Sequence, residues 1–302
     1  MRLSRLKQVG GVIHRSQSAC QYGVRGWGTL VQEGAQKTAD ARFAEVLTRI
    51  AIEASAAILR IDFREAGERE KSDKTPITLA DEASHALILD ELARVMPRIP
   101  VVSEEAVAEW QAQEPPREFL LVDPLDGTAE FIAGRLEYTV NIALVRDGTP
   151  VVGVVAAPAP GLIWRGAIDS GAERLRFNED GAGEPERIHT RAWPAAEPVA
   201  AVSRSHFDTR SAAFLARLGA VKGLECGSAI KFCRLAEGAV DVYPRLAPTS
   251  EWDVAAGHAI VGAAGGLVRM PDGGELRYGR AGFRVPGFVA WGDPVVAEKF
   301  TR

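Results

Sequence analysis

The stretch Phe119-Leu120-Leu121-Val122-Asp123-Pro124-Leu125-Asp126-Gly127-Thr128 constrains this chain more than any other. Four apolar residues in a row read as a buried strand. Pro124 and Gly127 then force a turn that holds Asp126 near Asp123. Two carboxylates so placed repel each other unless a cation lies between them, and all-oxygen ligands suit a hard ion such as Mg²⁺. Taken alone, the same residues also make an ordinary Asp-rich surface turn.

Three other acidic positions occur in comparable settings. Ser103-Glu104-Glu105 follows the short apolar run Pro100-Val101-Val102. Asp253, after Trp252, opens the segment Val254-Ala255-Ala256-Gly257-His258, which reads as a helix. Asp81 ends Lys71–Asp81 (KSDKTPITLAD) at the expected start of another helix. Singly, each is a charged loop or a helix cap. Together they set strand-end and helix-start carboxylates beside the Asp pair and Thr128, which caps and loops explain poorly.

Around these positions the hydrophobic pattern changes period. Phe43, Val46, Leu47, Ile50, Ala51, Ala54, Ile58 and Leu59 recur at helical spacing, and Ala86, Leu89, Leu92 and Met96 continue a second helix closed by Pro97 and Pro100. Tyr138 to Val145, Asp147-Gly148 and Val151 to Ala156 read as a hairpin. Asp169 to Glu186, rich in glycine and charge, reads as loop rather than core. After Pro194 and Pro198, strands and helices alternate: strands at 199–202, 241–243 and 266–270, helices at 212–218, 229–236 and 254–264. The expectation is an α/β (α+β) protein in packed layers, with residues 38–190 forming an N-terminal metal-binding domain and 191–302 a C-terminal α/β domain that completes the active site.

Composition limits the remaining possibilities. With a net charge of −4 and a pI near 5.8 the chain is no general nucleic-acid binder, so an anionic ligand needs local help from a metal or a basic pocket. Cys20, Cys226 and Cys233 lack C-x-x-C spacing, suggest neither a disulfide framework nor a zinc site, and read as reduced thiols of a cytoplasmic protein. No apolar run reaches the ~18 residues of a transmembrane span. Residues 1–37 read as a basic, disordered leader with no acidic residue before Glu33; organellar targeting is the lesser reading of it.

Asp123-Pro124-Leu125-Asp126-Gly127-Thr128 resembles the DP(I/L)DGT motif of the inositol monophosphatase superfamily. Ser103-Glu104-Glu105 and Trp252-Asp253-Val254-Ala255-Ala256-Gly257 resemble its (G/S)EE and WDxAAG elements. Within that superfamily the resemblance is to the CysQ-type 3'(2'),5'-bisphosphate nucleotidases, carried by Thr75–Asp81, Ser203-Arg204-Ser205-His206, Gly227–Cys233, Ala236-Glu237-Gly238, Tyr243-Pro244-Arg245 and Pro248-Thr249. Leu79 and Ser250-Glu251 depart slightly from the pattern. The resemblance implies a layered αβαβα sandwich of the inositol monophosphatase and fructose bisphosphatase type, and a lithium-sensitive phosphatase with two to three Mg²⁺ ions. Glu104, Asp123 and the Leu125 carbonyl would hold one ion; Asp123, Asp126 and Asp253 would hold the second.

The resemblance further implies that Thr128, bonded to Asp81, orients the attacking water, with Glu105 beside the metals. Backbone amides of Gly127 and Thr128 are placed to bind phosphate oxygens. Ser203, Ser205, His206, Gly227, Ser228, Lys231 and Arg245 would line the nucleotide side, Lys231 and Arg245 near its purine or second phosphate. As plain alternatives, the two cations are solvated surface charges and His206 an ordinary surface histidine. The implied reaction is hydrolysis of the 3'-phosphate of 3'-phosphoadenosine 5'-phosphate, with its sulfated analogue a further candidate substrate, by a monomer or homodimer that is cytoplasmic or peripheral to the inner membrane. The rivals are an inositol or sugar-phosphate phosphatase and a non-catalytic binding protein on the same scaffold.

Overall fold

The computed structural model describes residues 38–70, 76–110, 116–178, 181–194, 197–204 and 208–300, so the leader, Thr75, Ser205 and His206 lie outside the described residues. The first helix, α1 (Ala39–Leu59), starts at Thr38, whose hydroxyl accepts the Ala41 N–H at 3.0 Å. Leu47, Ile50, Ala51, Ala54 and Ile58 form its buried stripe. Helix α2 (Leu79–Val95) buries Ala80, Ser84, Ile88 and Leu92 and packs against α1.

Both helices cover one face of an eight-stranded sheet. Its main path runs through the strands Glu186–Ile188, Gly171–Asn178, Leu162–Ala167, Thr149–Ala157, Thr139–Arg146, Glu118–Asp126 and Val101–Ser103. Neighbours are antiparallel except the last pair. The expected hairpin at Asp147-Gly148 is present; Gly148 has φ 75° and Asp147 φ 49°, the left-handed pair that a tight hairpin turn requires. The loop expected at 169–186 is instead largely strand. Ala172 and Leu175 are buried there on opposite faces of the sheet, three residues apart with Glu173 and Arg174 between them, so no alternation with a period of two marks the strand.

A second sheet of five strands follows the order Lys222–Cys226, Val199–Ser203, Val242–Arg245, Phe288–Trp291, Leu267–Arg269. Between the two sheets lie α5 (Ile230–Ala236) and α6 (Ala255–Ala263), after the short α3 (Thr128–Ile132) and α4 (Thr209–Arg217) in chain order. On the outer face of the second sheet, Phe214 of α4 and Val296 of α7 (Pro294–Phe300) pack with Trp291. The layers therefore run αβαβα, and the described residues fall in one compact unit.

Helix α6 approaches the large sheet unusually closely. A Cβ on Gly153 would lie 2.2 Å from the Ala256 carbonyl oxygen, and one on Gly166 would lie 2.8 Å from Ile260 Cα. Glycine in two neighbouring strands lets helix backbone touch strand backbone. This contact fixes the N-terminal end of α6, and with it Asp253, relative to the strand that carries Asp123.

Candidate active site

Parallel pairing brings two chain exits together. Ser103 is in register with Val122, so Glu104 and Asp123 leave adjacent strands at the same end. Glu104 and Glu105 occupy the first turn of a short 3-10 helix, Glu104–Trp110. One strand over, Asp123 faces Asn141 and Asp126 faces Thr139, three residues against two. The extra residue is a β-bulge, and it changes the side-chain parity. Asp123 and Asp126, which would otherwise point to opposite faces, both face the inner layer. Ser84 of α2 donates to the Pro124 carbonyl at 2.7 Å and ties the bulge down. Gly127, at φ 94°, then turns the chain into α3.

Asp81 and Thr128 meet at the N-terminal ends of two helices. Thr78 caps α2, and Asp81 completes a capping box by accepting the Thr78 N–H and hydroxyl at 2.7 Å each on Oδ2. Its other oxygen, Oδ1, accepts the Thr128 hydroxyl at 2.9 Å. Asp81 is thus the cap expected of a helix start and also Thr128's partner. Thr128 Oγ1 lies 3.1 Å from the Leu125 carbonyl oxygen as well.

The inner layer supplies the opposite wall. Asp253 precedes α6 without capping it: Val254 takes the N-cap position, and Asp253 Oδ2 accepts the Thr249 hydroxyl and, at 3.1 Å, the Ser250 N–H. Ser228, in the left-handed region at φ 51°, donates to Asp126 Oδ2 at 2.6 Å. A non-glycine residue held there is strained, a cost the Asp126 bond offsets. Lys231 is 3% exposed, so the solvated-charge alternative is overturned. Its ammonium donates to the carbonyls of Ser228 at 2.6 Å and Cys226 at 3.3 Å, and lies 5.5 Å from the Tyr243 ring centre. Burial lowers its pKa to about 8, against the pull of Asp126. Arg245 is partly buried, beside Tyr243 and the charges of Asp253 and Asp126.

Charge defines the centre of the site. Asp123 is 1% exposed, and burial drives its pKa well above the usual carboxylate range, reinforced by the charges of Glu104, Asp126, Asp253 and Asp81. Burial and the Asp126 charge also raise Asp253, with Arg245 opposing. Among the described residues no three His, Cys, Asp or Glu side chains stand at coordination spacing. Asp126 and Asp253 each turn an oxygen to neighbouring hydroxyls instead. The donor set fits a hard divalent cation: it is all oxygen, and its mutual repulsion is what such an ion neutralises.

Asp81, Glu104, Asp126 and Asp253 thus converge on Asp123 from separate segments of the sequence, with Thr128, Ser228 and Arg245 joined to them and Glu105 next to Glu104 in the chain. Ser203 ends the strand next to Lys222–Cys226, which leads into Gly227. Sequence reasoning missed Glu137, Thr139 and Asn141. Thr139 Oγ1 lies 2.8 Å from Asn141 Oδ1 and 2.5 Å from Ser228 Oγ, while Asn141 Nδ2 donates to Asp126 at 3.3 Å. The signal was in the hairpin: Thr139 and Asn141 put polar groups on the same alternating row as the buried Ala143 and Val145.

Known proteins share this chain's sequence and fold. Residues 39–299 match the inositol monophosphatase family. The 3'(2'),5'-bisphosphate nucleotidase CysQ of Escherichia coli K12 is 42% identical over 219 residues, which span 72% of this chain and 86% of that protein. The nucleotidase of the same name from Haemophilus influenzae is 31% identical over 233 residues, 74% of this chain and 82% of that one. The crystal structure of CysQ from Bacteroides thetaiotaomicron superposes with a TM-score of 0.70 at 34% identity, covering 83% of this chain and 97% of that one. A Thermotoga maritima IMPase shares the fold, with a TM-score of 0.70 at 23% identity over 85% of this chain and 94% of that one. An acidic site built on a bulged strand, a capping box and the start of a buried helix, in a chain matched over most of its length, places this protein in the inositol monophosphatase family.

Proposed function

We propose that the chain is a Mg²⁺-dependent 3'(2'),5'-bisphosphate nucleotidase that hydrolyses the 3'-phosphate of 3'-phosphoadenosine 5'-phosphate to give AMP and phosphate. The observation that carries the chemistry is Asp123, buried among four other carboxylates on a surface that must receive a polyanion. The nucleotide is supported by the CysQ relatives and by the cations beyond the carboxylates.

Glu104, Asp123, Asp126, Asp253 and the Leu125 carbonyl would hold Mg²⁺ ions, two or three of them. When bound, such ions offset phosphoryl charge and acidify water. Thr128 Oγ1 accepts a hydrogen bond from the attacking water while it donates to Asp81 Oδ1. The water oxygen forms the new bond to phosphorus as the bond to the 3'-oxygen breaks. The water's proton leaves along Thr128 to Asp81, and the departing 3'-oxygen takes a proton from solvent. Glu105 would orient water, and the Gly127 and Thr128 amides would hold phosphate oxygens.

On the nucleotide side, Ser203, Ser205, His206, Gly227 and Ser228 contact the nucleoside, and Arg245 offsets the second phosphate. Lys231 acts through the carbonyls that it holds, keeping the Gly227–Ser228 turn in place. Residues 38–190 supply Asp81, Glu104, Asp123, Asp126 and Thr128, and residues 191–302 supply Asp253 and this wall. The cytoplasm is the proposed setting, in keeping with the buried free thiols Cys226 and Cys233. The test is phosphate release from 3'-phosphoadenosine 5'-phosphate and inositol 1-phosphate in parallel, with Mg²⁺ and with EDTA. A Mg²⁺-dependent preference for the nucleotide is expected; preference for the inositol ester would overturn the nucleotide assignment.

A further inference from the structure

Glu137 lies between the two halves of the site, in the turn that joins α3 to the strand Thr139–Arg146. Its carboxylate Oε2 accepts the Gly227 N–H at 3.0 Å. Both oxygens receive the Arg204 guanidinium, Nη1 on Oε2 and Nη2 on Oε1, the latter at 3.3 Å. Arg204 in turn sits 3.7 Å from Glu225 through Nε. The Glu137 and Arg204 side chains are 26% and 36% exposed, so solvent screens this pair less than a surface pair.

The backbone of the same residue is held just as closely. A Cβ on Gly227 would lie 2.7 Å from the Glu137 carbonyl oxygen, and one on Gly127 would lie 3.3 Å from that same oxygen. Gly127 belongs to the carboxylate side and Gly227 to the nucleotide wall. Two residues on, Thr139 contacts Ser228. Glu137 is therefore a common neighbour of the phosphate-side glycine, the nucleotide-side glycine and Arg204, which follows the strand Val199–Ser203.

We propose that Glu137 is a positioning residue for substrate specificity: it fixes the Gly227–Ser228 turn and the Ser203–Arg204 segment at the distance from the carboxylates that a nucleotide carrying two phosphates requires. A carboxylate suits the role because one group accepts a backbone amide and a guanidinium together. The consequence is a division of labour. Asp123 and its neighbours serve every phosphate ester alike, whereas Glu137 governs how the rest of the nucleotide binds. This inference rests on the nucleotide reading above.

Binding and turnover separate the two. With Glu137→Ala, KM for 3'-phosphoadenosine 5'-phosphate and the Kd for AMP in Mg²⁺ both rise about tenfold, the scale of one lost charge-assisted hydrogen bond, while kcat changes less than about threefold. Arg204→Ala does the same, and the double variant is no worse than either single one, since the residues act as a unit. Glu137→Gln, which keeps the shape and the acceptor for Gly227, gives a smaller rise and tests the idea should the alanine variant not fold. A drop in kcat with KM and AMP affinity unchanged in a folded variant, or additive single effects, would overturn the proposal. Wild-type protein that neither binds AMP nor turns over the nucleotide would overturn the nucleotide assignment instead.

Discussion

The Thr128 hydroxyl donates to Asp81 Oδ1 at 2.9 Å, across 47 residues of sequence, while Asp81 Oδ2 accepts both the N–H and the hydroxyl of Thr78. One carboxylate thus closes the first turn of α2 and fixes the rotamer of the residue that opens α3. With its proton committed to Asp81, Thr128 presents lone pairs, not a donor, toward the site.

Removing that acceptor without changing shape is the sharpest test. Thr128→Val should lower kcat by about two to four orders of magnitude, the usual scale for a proton-transfer group, with the melting temperature little changed. Thr128→Ser should retain most activity. Asp81→Asn is a poorer probe because it also disturbs a capping box worth about 1 kcal/mol. Equal activity of the valine and serine variants would remove Thr128 from the mechanism.

Asp123 predicts opposite stability effects with and without metal. Its pKa is raised, so between the ordinary carboxylate range and that higher value the folded protein binds more protons than the unfolded chain. Stability in EDTA should therefore fall as pH rises through that window. Asp123→Asn should flatten this dependence and be at least as stable as wild type in EDTA. With Mg²⁺ at about 100 times its Kd, wild type should gain about 2.7 kcal/mol and the variant far less, alongside an activity loss of orders of magnitude. Thermal melts in EDTA and in Mg²⁺ across pH check both signs. An undiminished Mg²⁺ shift in the variant would contradict the shared-ligand role of Asp123.

How much of the site is legible in the sequence depends on whether a residue's partner is local. Asp123 and Asp126 stand out because Pro124 and Gly127 punctuate their turn, but the bulge that gives them a common face depends on pairing with Thr139 and Asn141 in another strand. Asp253 looks like a helix cap, which is what an acid before Val254-Ala255-Ala256 normally is; only the folded chain turns it toward Thr249 and Ser250. Lys231 cannot be told from a surface lysine because its partners are backbone carbonyls. Glu137 carries no local signal at all: its partners are 67 and 90 residues away.

The seating of α6 makes a prediction about packing. Gly153→Ala puts a methyl group into the Ala256 backbone, which cannot rotate away, so α6 must shift. Overpacking of this kind costs about 1–3 kcal/mol, and because Asp253 precedes α6, the Mg²⁺ concentration for half-maximal activity should rise too. Gly262, on the same helix, has open space where a methyl group would sit, with nothing within 4 Å. Gly262→Ala should therefore stabilise by about 0.4–1 kcal/mol. Urea midpoints for the two variants would distinguish close packing from general intolerance of α6 to change; equal destabilisation would refute the contact argument.

His258 gives a pH dependence with a definite sign. Its Nδ1 lies 2.9 Å from the hydroxyl of Tyr278, which burial keeps protonated, so the two side chains share one hydrogen bond. Burial, aided by the positive charge of Arg269, lowers the His258 pKa from 6.5 to about 3. Between those values the unfolded chain binds a proton that the folded protein does not. The stability associated with neutral His258 is thus fully present above pH 6.5 and is lost as pH falls toward 3. His258→Gln keeps an acceptor for Tyr278 without the titration. From about pH 6 to about pH 4.5 its unfolding free energy should fall less steeply than that of wild type, by up to about 1.4 kcal/mol per pH unit. Parallel curves for the two proteins in urea titrations would show that His258 is as easily protonated folded as unfolded, and that burial does not hold it neutral.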